Sequence, residues 1–388
     1  MSGQASEPSA AERAKAALRA RDGRAALDWL SRIEPAQADA DTFLDKALAL
    51  RMLGDLGSAV AALDGALALE PKHFLALLSK GALLERLGRA KQAAATYRNA
   101  LTVAPPDDVL PPSLAAPVER ARQAVRLNTD ALADHLRASL TELRESFRGE
   151  PLDRFDESLE IFSGRTRAYV QEPLLLNYPC LPAIAFHDRR DFPWLAELEA
   201  ATADIAEEYQ AVAEVRAGEF APYIAYPPGA PVNQWGELNH SPRWSSFFLW
   251  RDGVRQDGAC AACPRTAALL ARLPMADQPG FAPTAMFSVL EARTRIPPHT
   301  GSANTRLIVH LPLVLPGPAA FRVGNVTRPW RMGEAWLFDD TIEHEAWNDA
   351  DAARAILILD IWNPLLSPAE RTLVSAMMTA ANAFKATD

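Results

Sequence analysis

The sequence predicts a multidomain α and β protein. A helical repeat region comes first, and a double-sheet, antiparallel β domain with flanking helices follows. Three observations lead there. Small and turn-forming residues recur at a displacement of 34 residues in the first part of the chain. Short apolar or alternating runs, separated by Pro, Gly, Asn and Asp, dominate from about residue 220 to 365. Around these runs lie segments whose apolar residues fall at helical spacing.

The repeat is justified residue by residue. Leu53-Gly54 returns as Leu87-Gly88, Ala59 as Ala93, Ala66 as Ala100, and Glu70-Pro71 as Ala104-Pro105. The alanines let helices approach closely, while Leu63 and Tyr97 fill the remaining space. GRAALDWLSRIEP (23–35) reads as a degenerate, shorter first copy. Period and pattern resemble the tetratricopeptide repeat, expected over residues 8–105, and three copies are about the minimum such an array needs to bury its faces. A plain helical bundle is the alternative. PPDDVLPPSLAAP (105–117) is a Pro-rich break. Val118, Ala121, Val125, Leu132, Leu136, Leu140 and Leu143 then follow at helical spacing, so residues 106–150 read as a helical linker or cap.

The second domain is expected over 151–388. DFPWLAELEAATADIAEEYQ (191–210) predicts one amphipathic helix with Asp191 as N-cap before Pro193. The strand candidates are SSFFLW, AMFSVLEA, RLIVHLPLVL, AFRVG, EAWLFDD, HEAWND and AILILDIWN. Their spacing favours a sandwich or barrel over a parallel α/β sheet. A two-sheet jelly roll of the cupin type, a double-stranded β-helix, fits best, with a β core over about 220–365. SPAERTLVSAMMTAANAF (367–384) predicts a closing helix with a capping box from Ser367 and Glu370.

Composition narrows the function classes. A formal charge of −9 argues against nucleic acid as the main partner. No apolar run approaches the roughly 20 residues of a membrane span. The polar, Ala-rich start has no signal-peptide core, so a cytoplasmic location is expected. Cys180, Cys260 and Cys263 make no disulfide framework, and Cys260-x-x-Cys263 alone supplies too few ligands for structural zinc.

Of seven histidines, His299, His310 and His344 fall in the strand-rich region. In IPPHTGSANTRLIVHLPL, Gly301 stands two residues after His299, where a metal-binding His-x-Asp/Glu pattern would carry a carboxylate. His299 and His344 become a metal pair if their strands are neighbours; otherwise each is a structural histidine. Asp339, Asp340, Glu343 and Glu345 crowd His344, which is costly to bury without a cation. The ordinary alternative is a turn with at least one acid exposed. Arg354 opens the last strong strand and, if it enters a barrel mouth, needs a carboxylate partner.

Residues 235–364 resemble the aspartyl/asparaginyl β-hydroxylase family of 2-oxoglutarate-dependent iron oxygenases. The matching segments are SSFFLW-x-x-G (245–253), FSVLEARTRIPPHTGSANTRLIVHLPL (287–313), FRVGN (321–325), GEAWLFDDTIEHEAWN (333–348) and RAILILDIWNP (354–364), in the family's order and spacing. The resemblance implies Fe(II), 2-oxoglutarate and O₂. It implies His299 and His344 as iron ligands, with Gly301 in place of the usual carboxylate and Asp340 holding a water that completes the site. It assigns Arg354 and Ser288 to the distal carboxylate of 2-oxoglutarate, His310 to the co-substrate's other end, and Arg306 to the substrate and co-substrate region. Two family cations are missing: Ile308 and Met286 stand where protein-hydroxylating members have Arg and Lys. The first expectation is β-hydroxylation of Asp or Asn in a peptide or protein docked by the repeat. The alternatives are a small-molecule or lipid-linked acyl substrate, or a non-catalytic adaptor with a relic barrel.

Overall fold

The computed structural model describes residues 7–385. Its chain divides into two compact units, 1–166 and 167–388. The first unit is helical. Its hairpins are α1 (Ala10–Arg19) with α2 (Gly23–Leu30), α3 (Ala40–Met52) with α4 (Leu56–Leu69), and α5 (Phe74–Arg86) with α6 (Ala90–Thr102). The recurring residues do what the period requires. Ala59, Ala66, Ala93, Ala100 and Leu63 are completely buried and Tyr97 nearly so, in one continuous core. Full burial of a leucine such as Leu63 contributes about 1.5–3 kcal/mol. Gly54 and Gly88 follow α3 and α5 with φ of +82° and +72°. Any residue with a β-carbon would lose roughly 1–2 kcal/mol in that left-handed conformation.

The Pro-rich break ends earlier than the sequence predicts. Helix α7 runs Pro112–Glu145 and contains Pro117. Pro112 stands at the first turn, where a missing N–H costs nothing. Helix α8 (Asp153–Ser163) packs on α7, and Arg144 pairs with Asp156 and Arg137 with Glu160. The first unit therefore extends beyond residue 150, where the second was expected to begin.

In the second unit the single helix expected over 191–210 is two: α9 (Leu195–Ala200) and α10 (Thr202–Val215). They break at Ala201, and Trp194 rather than Asp191 precedes the first turn, because 189–191 is already a 3₁₀ turn. Short helices α11 (Asp257–Ala262) and α12 (Pro264–Leu270) and the closing α13 (Pro368–Lys385) complete the set. The capping box forms as expected: Glu370 N donates to Ser367 Oγ at 3.3 Å, and Ser367 N to Glu370 Oε2 at 2.7 Å. Among the described residues no helix is long and apolar enough to cross a membrane.

The strands are β1 (Ala221–Pro222), β2 (Trp244–Arg251), β3 (Val254–Arg255), β4 (Ala285–Leu290), β5 (Thr294–His299), β6 (Arg306–Val314), β7 (Ala319–Val323), β8 (Val326–Pro329), β9 (Trp336–Phe338), β10 (His344–Asn348) and β11 (Arg354–Trp362). Among the described residues they form two antiparallel sheets. One has the order β1-β2-β4-β11-β6-β9 with β3 on β2; the other is β5-β10-β7-β8. This is the two-sheet jelly-roll architecture expected. The sequence runs missed β5, because Pro297 and Pro298 interrupt it. Both prolines are tolerated because β5 is an edge strand with β10 as its neighbour in the sheet.

Alternation along the large sheet separates two interiors. Phe287, Leu307, Val309, Leu311, Leu357, Leu359 and Ile361 pack in one core with residues of α9 to α12. Their sequence neighbours Met286, Ser288, Arg306, Ile308, His310, Arg354, Ile358 and Asp360 line a cavity on the opposite face.

Candidate active site

Seven of the residues singled out above for chemistry line one cavity of about 340 Å³: His299, His344, Asp340, Ser288, His310, Arg354 and Arg306. The two histidines, far apart in sequence, are register partners across β5 and β10. Their ring centroids are 4.0 Å apart. His299 Nδ1 contacts Pro297 O at 2.7 Å and His344 Nδ1 contacts Ile342 O at 3.0 Å. A carbonyl only accepts, so each Nδ1 carries the proton and donates, and each Nε2 keeps its lone pair. Burial, and for His299 also the neighbouring His344, holds both imidazoles below their ordinary range, His344 at about 4. Neutral imidazoles with fixed tautomers are metal-ligand geometry. Among the described residues no group of three or more His, Cys, Asp or Glu is arranged to hold a metal. The cavity presents two imidazole Nε2 lone pairs, from His299 and His344.

Gly301 explains its own identity. A β-carbon there would lie inside contact distance of Asp340 Oδ2 and Cγ, and 2.6 Å from Oδ1. The Asp340 carboxylate occupies the volume that a side chain at 301 would need. It is pinned from its main chain, since Gly301 N donates to Asp340 O at 2.6 Å. Its Oδ2 lies 3.6 Å from Arg306 Nη2, while its Oδ1 has no hydrogen-bond partner among the described residues. Burial raises its pKa, and Arg306 opposes that rise.

The two arginines of the cavity differ. Arg306 is neutralised by a close ion pair with Asp360 and faces Asp340 as well. Arg354 is 1% exposed, yet among the described residues it forms no ion pair with an acid. Its Nη1 reaches Ser288 O at a long 3.4 Å, and its guanidinium lies 4.7 Å from the centre of the Trp330 ring. Burial lowers it to about 9. His310 lines the same end, with Nδ1 unpartnered and burial and Arg354 holding it neutral.

The acids around His344 do not gather on it. Glu343 and Glu345 pair with Arg322, and Glu343 also with Arg167. Both Asp339 and Asp340 are buried, so neither is the exposed turn acid of the ordinary reading. Asp339 is satisfied by Thr341 and Gln171, which leaves Asp340 as the acid of the cavity.

Residues 199–364 match the family model for aspartyl/asparaginyl beta-hydroxylase. The chain is 36% identical over 201 residues to the ornithine lipid ester-linked acyl 2-hydroxylase of Rhizobium tropici, covering 51% of this chain and 67% of that one. The chain belongs to the aspartyl/asparaginyl β-hydroxylase family. It is also 38% identical over 142 residues to the human aspartyl/asparaginyl beta-hydroxylase, 36% of this chain and 18% of that protein. With aspartate beta-hydroxylase domain-containing protein 2 of Xenopus tropicalis it shares 29% identity over 264 residues, 66% of this chain and 69% of that one. The chain thus spans under one fifth of the human protein's length.

Several residues of this β-hydroxylase-family cavity carried no clear signal in the sequence. Trp235 lies 4.9 Å from the His299 ring, and Trp244 Nε1 donates to Ser288 Oγ at 3.1 Å. Asp360 did carry a signal, as the lone charge in the apolar run AILILDIW. A buried acid must be paired, and its partner is Arg306.

Proposed function

We propose that this protein is an Fe(II)- and 2-oxoglutarate-dependent dioxygenase that hydroxylates a C–H bond. The observation that carries the proposal is Arg354, a buried guanidinium with no acid partner among the described residues, in the same cavity as a pair of neutral, tautomer-fixed histidines. A dicarboxylate co-substrate supplies the missing charge, and a bidentate carboxylate suits a guanidinium.

His299 and His344 would hold the iron through Nε2. Arg354 and the Ser288 hydroxyl would bind the distal carboxylate of 2-oxoglutarate, and His310 would face its other end. Asp340 keeps an unpartnered acceptor, Oδ1, for a water. Bound iron would supply O₂ activation, with substrate, 2-oxoglutarate and O₂ converted to hydroxylated product, succinate and CO₂. Phe321, Phe338 and Trp235 give the cavity buried aromatic walls.

The substrate end favours an uncharged chain beside a carbonyl over an Asp side chain. Met286, Ile308, Ile358, Ile296 and Phe281 line the wall there, and Arg306 is already engaged by Asp360. An acidic substrate would meet no free cation on that side, whereas an acyl chain would exchange water for apolar surface at about 25 cal/mol per Å². The peptide reading retains one support, the helical repeat of the first unit, since concave helical arrays commonly bind peptides.

Three substitutions test the proposal. His299→Ala and His344→Ala should abolish substrate-coupled succinate formation. Arg354→Ala should raise the 2-oxoglutarate KM at least ~10-fold, because hydrogen bonds to charged groups contribute roughly 1.5–3 kcal/mol. Unchanged turnover in all three would refute the enzyme class. Mass spectrometry for gain of one oxygen, on acyl lipids against Asp- and Asn-containing peptides, decides the substrate.

A further inference from the structure

We propose that Trp244 and Trp330 are the positioning residues of the carboxylate site, fixing Ser288 and Arg354 for an anion before it arrives. The inference rests on the reading of this cavity as a 2-oxoglutarate site, and it concerns what makes that site selective for a carboxylate.

Ser288 is fully buried in the middle of β4, and its hydroxyl has one donor proton and two acceptor lone pairs. Alone, such a hydroxyl rotates to suit any neighbour. Here Trp244, register-paired with Leu290 on the adjacent β2, donates its indole N–H to Ser288 Oγ at 3.1 Å. An indole N–H can only donate. It therefore occupies one of the two acceptor positions on Oγ and orients the hydroxyl, whose proton is left to offer to the cavity. A carboxylate oxygen is the partner such a proton recognises. Trp244 is itself held in place, with Tyr223 4.3 Å away and Trp235 6.0 Å away, ring centre to ring centre.

Trp330 acts on the other half of the site. Its ring lies 4.7 Å from the Arg354 guanidinium carbon and stacks on Trp336 at 6.0 Å with an interplanar angle of 16°. A buried guanidinium without an anion tends to swing toward any acid or solvent it can reach. The face of an indole is the neutral partner that best offsets such a charge, and attraction to it is strongest where water is excluded. Trp330 thus holds Arg354 in the cavity without consuming its hydrogen-bond donors, which an acid in the same place would do. Arg306 shows that contrast within the same cavity: its Nη1 is taken by Asp360.

The test is two double-mutant cycles, read by calorimetric titration of 2-oxoglutarate into the Mn(II)-loaded full chain. Trp244→Phe keeps the ring and deletes the N–H. Its Kd for 2-oxoglutarate should rise about 3–10-fold, the size of one hydrogen bond, and the same substitution should have no effect in a Ser288→Ala background. Trp330→Leu should raise Kd about tenfold, with Trp330→Phe in between, as expected for loss of a desolvated cation–π contact, and should add little in an Arg354→Ala background. In steady state both losses should appear in the 2-oxoglutarate KM rather than in kcat. Affinity for Mn(II) alone should not move. Additive effects in both cycles, or a parallel fall in Mn(II) affinity, would show that the tryptophans only support the fold and would overturn the positioning role. A wild-type protein that binds Mn(II) but no 2-oxoglutarate would instead overturn the reading beneath it.

Discussion

Replacing Gly301 by alanine tests the central steric claim about this site. The new methyl would enter the volume of the Asp340 carboxylate, 2.6 Å from Oδ1 and closer still to Oδ2 and Cγ. Neither party can retreat cheaply. Gly301 N is bound to Asp340 O at 2.6 Å, and Gly301 O accepts from Leu174 N at 3.0 Å, so the backbone on one side is tied at both ends of the residue. The carboxylate would have to rotate away from Arg306 inside a buried cavity. Forcing an extra methyl into a packed interior costs about 1–3 kcal/mol. For a unit of this size each kcal/mol moves Tm by roughly 2–4 °C, so a cost of about 2 kcal/mol lowers Tm by about 4–8 °C. Differential scanning calorimetry of the metal-free chain measures this without any contribution from iron. The double variant Gly301→Ala with Asp340→Ala opens the space again, and should recover about 1 kcal/mol relative to the sum of the two single changes. An unchanged Tm for Gly301→Ala, or strict additivity in the double variant, would refute the idea that Asp340 fills the place of the missing side chain.

Further outcomes follow from other parts of the structure. His187 lies outside the cavity, and burial lowers it from an ordinary 6.5 to about 4. The fold therefore binds the neutral ring and the unfolded chain takes the proton first, so its stability contribution is complete above about pH 6.5 and falls as pH drops toward 4. Some 2 kcal/mol should be lost by pH 5, and His187→Phe should flatten the Tm-versus-pH curve over that window. Ile308→Arg places a cation in the apolar wall and should weaken acyl-substrate binding at least ~10-fold, measured as KM; improved acyl turnover would contradict the uncharged-substrate reading. Ala66→Leu overpacks the repeat and should cost the first unit about 1–3 kcal/mol, seen as an earlier helical transition by circular dichroism, with 2-oxoglutarate affinity unchanged.

How much of this could be read from the chain depends on how local each feature is. The repeat was legible because close helix packing demands alanine and glycine at fixed positions, and Gly54 and Gly88 mark the same left-handed turn twice. Seven strands were legible from their short apolar or alternating runs, but Ser288, Arg306, His310 and Arg354 come onto one face only through the register of β4, β11 and β6. The pairing of His299 with His344 was not legible from pattern, because β5 is an edge strand broken by two prolines and reads as loop. Nor was the fate of the acids near His344. Their partners, Arg322 and Arg167, come from another strand and a distant segment, and only the register β10–β7 places Arg322 opposite Glu345. Asp191 failed as a cap for a local reason: a 3₁₀ turn takes up the residues just before it.

The contrast between the two arginines leads to the strongest link between fold and function. Arg306 and Arg354 open opposite-running strands of the same sheet, β6 and β11; Arg354 is buried and Arg306 largely so. One is matched by acids and the other is not. Burying an unpaired charge is costly enough that its neighbours would be expected to supply a partner. Asp360 supplies one for Arg306 within the fold itself. For Arg354 the nearby side chains are Trp330, Ser288 and Tyr209, none of them an acid. The fold therefore carries this cost in the ligand-free protein, and an anion that binds Arg354 recovers it. Affinity and stability are then two readings of one quantity. Saturation at 100 times Kd stabilises a protein by about 2.7 kcal/mol. A wild-type chain whose Tm rises with 2-oxoglutarate, beside an Arg354→Ala chain whose Tm does not, would place that stabilisation on this residue.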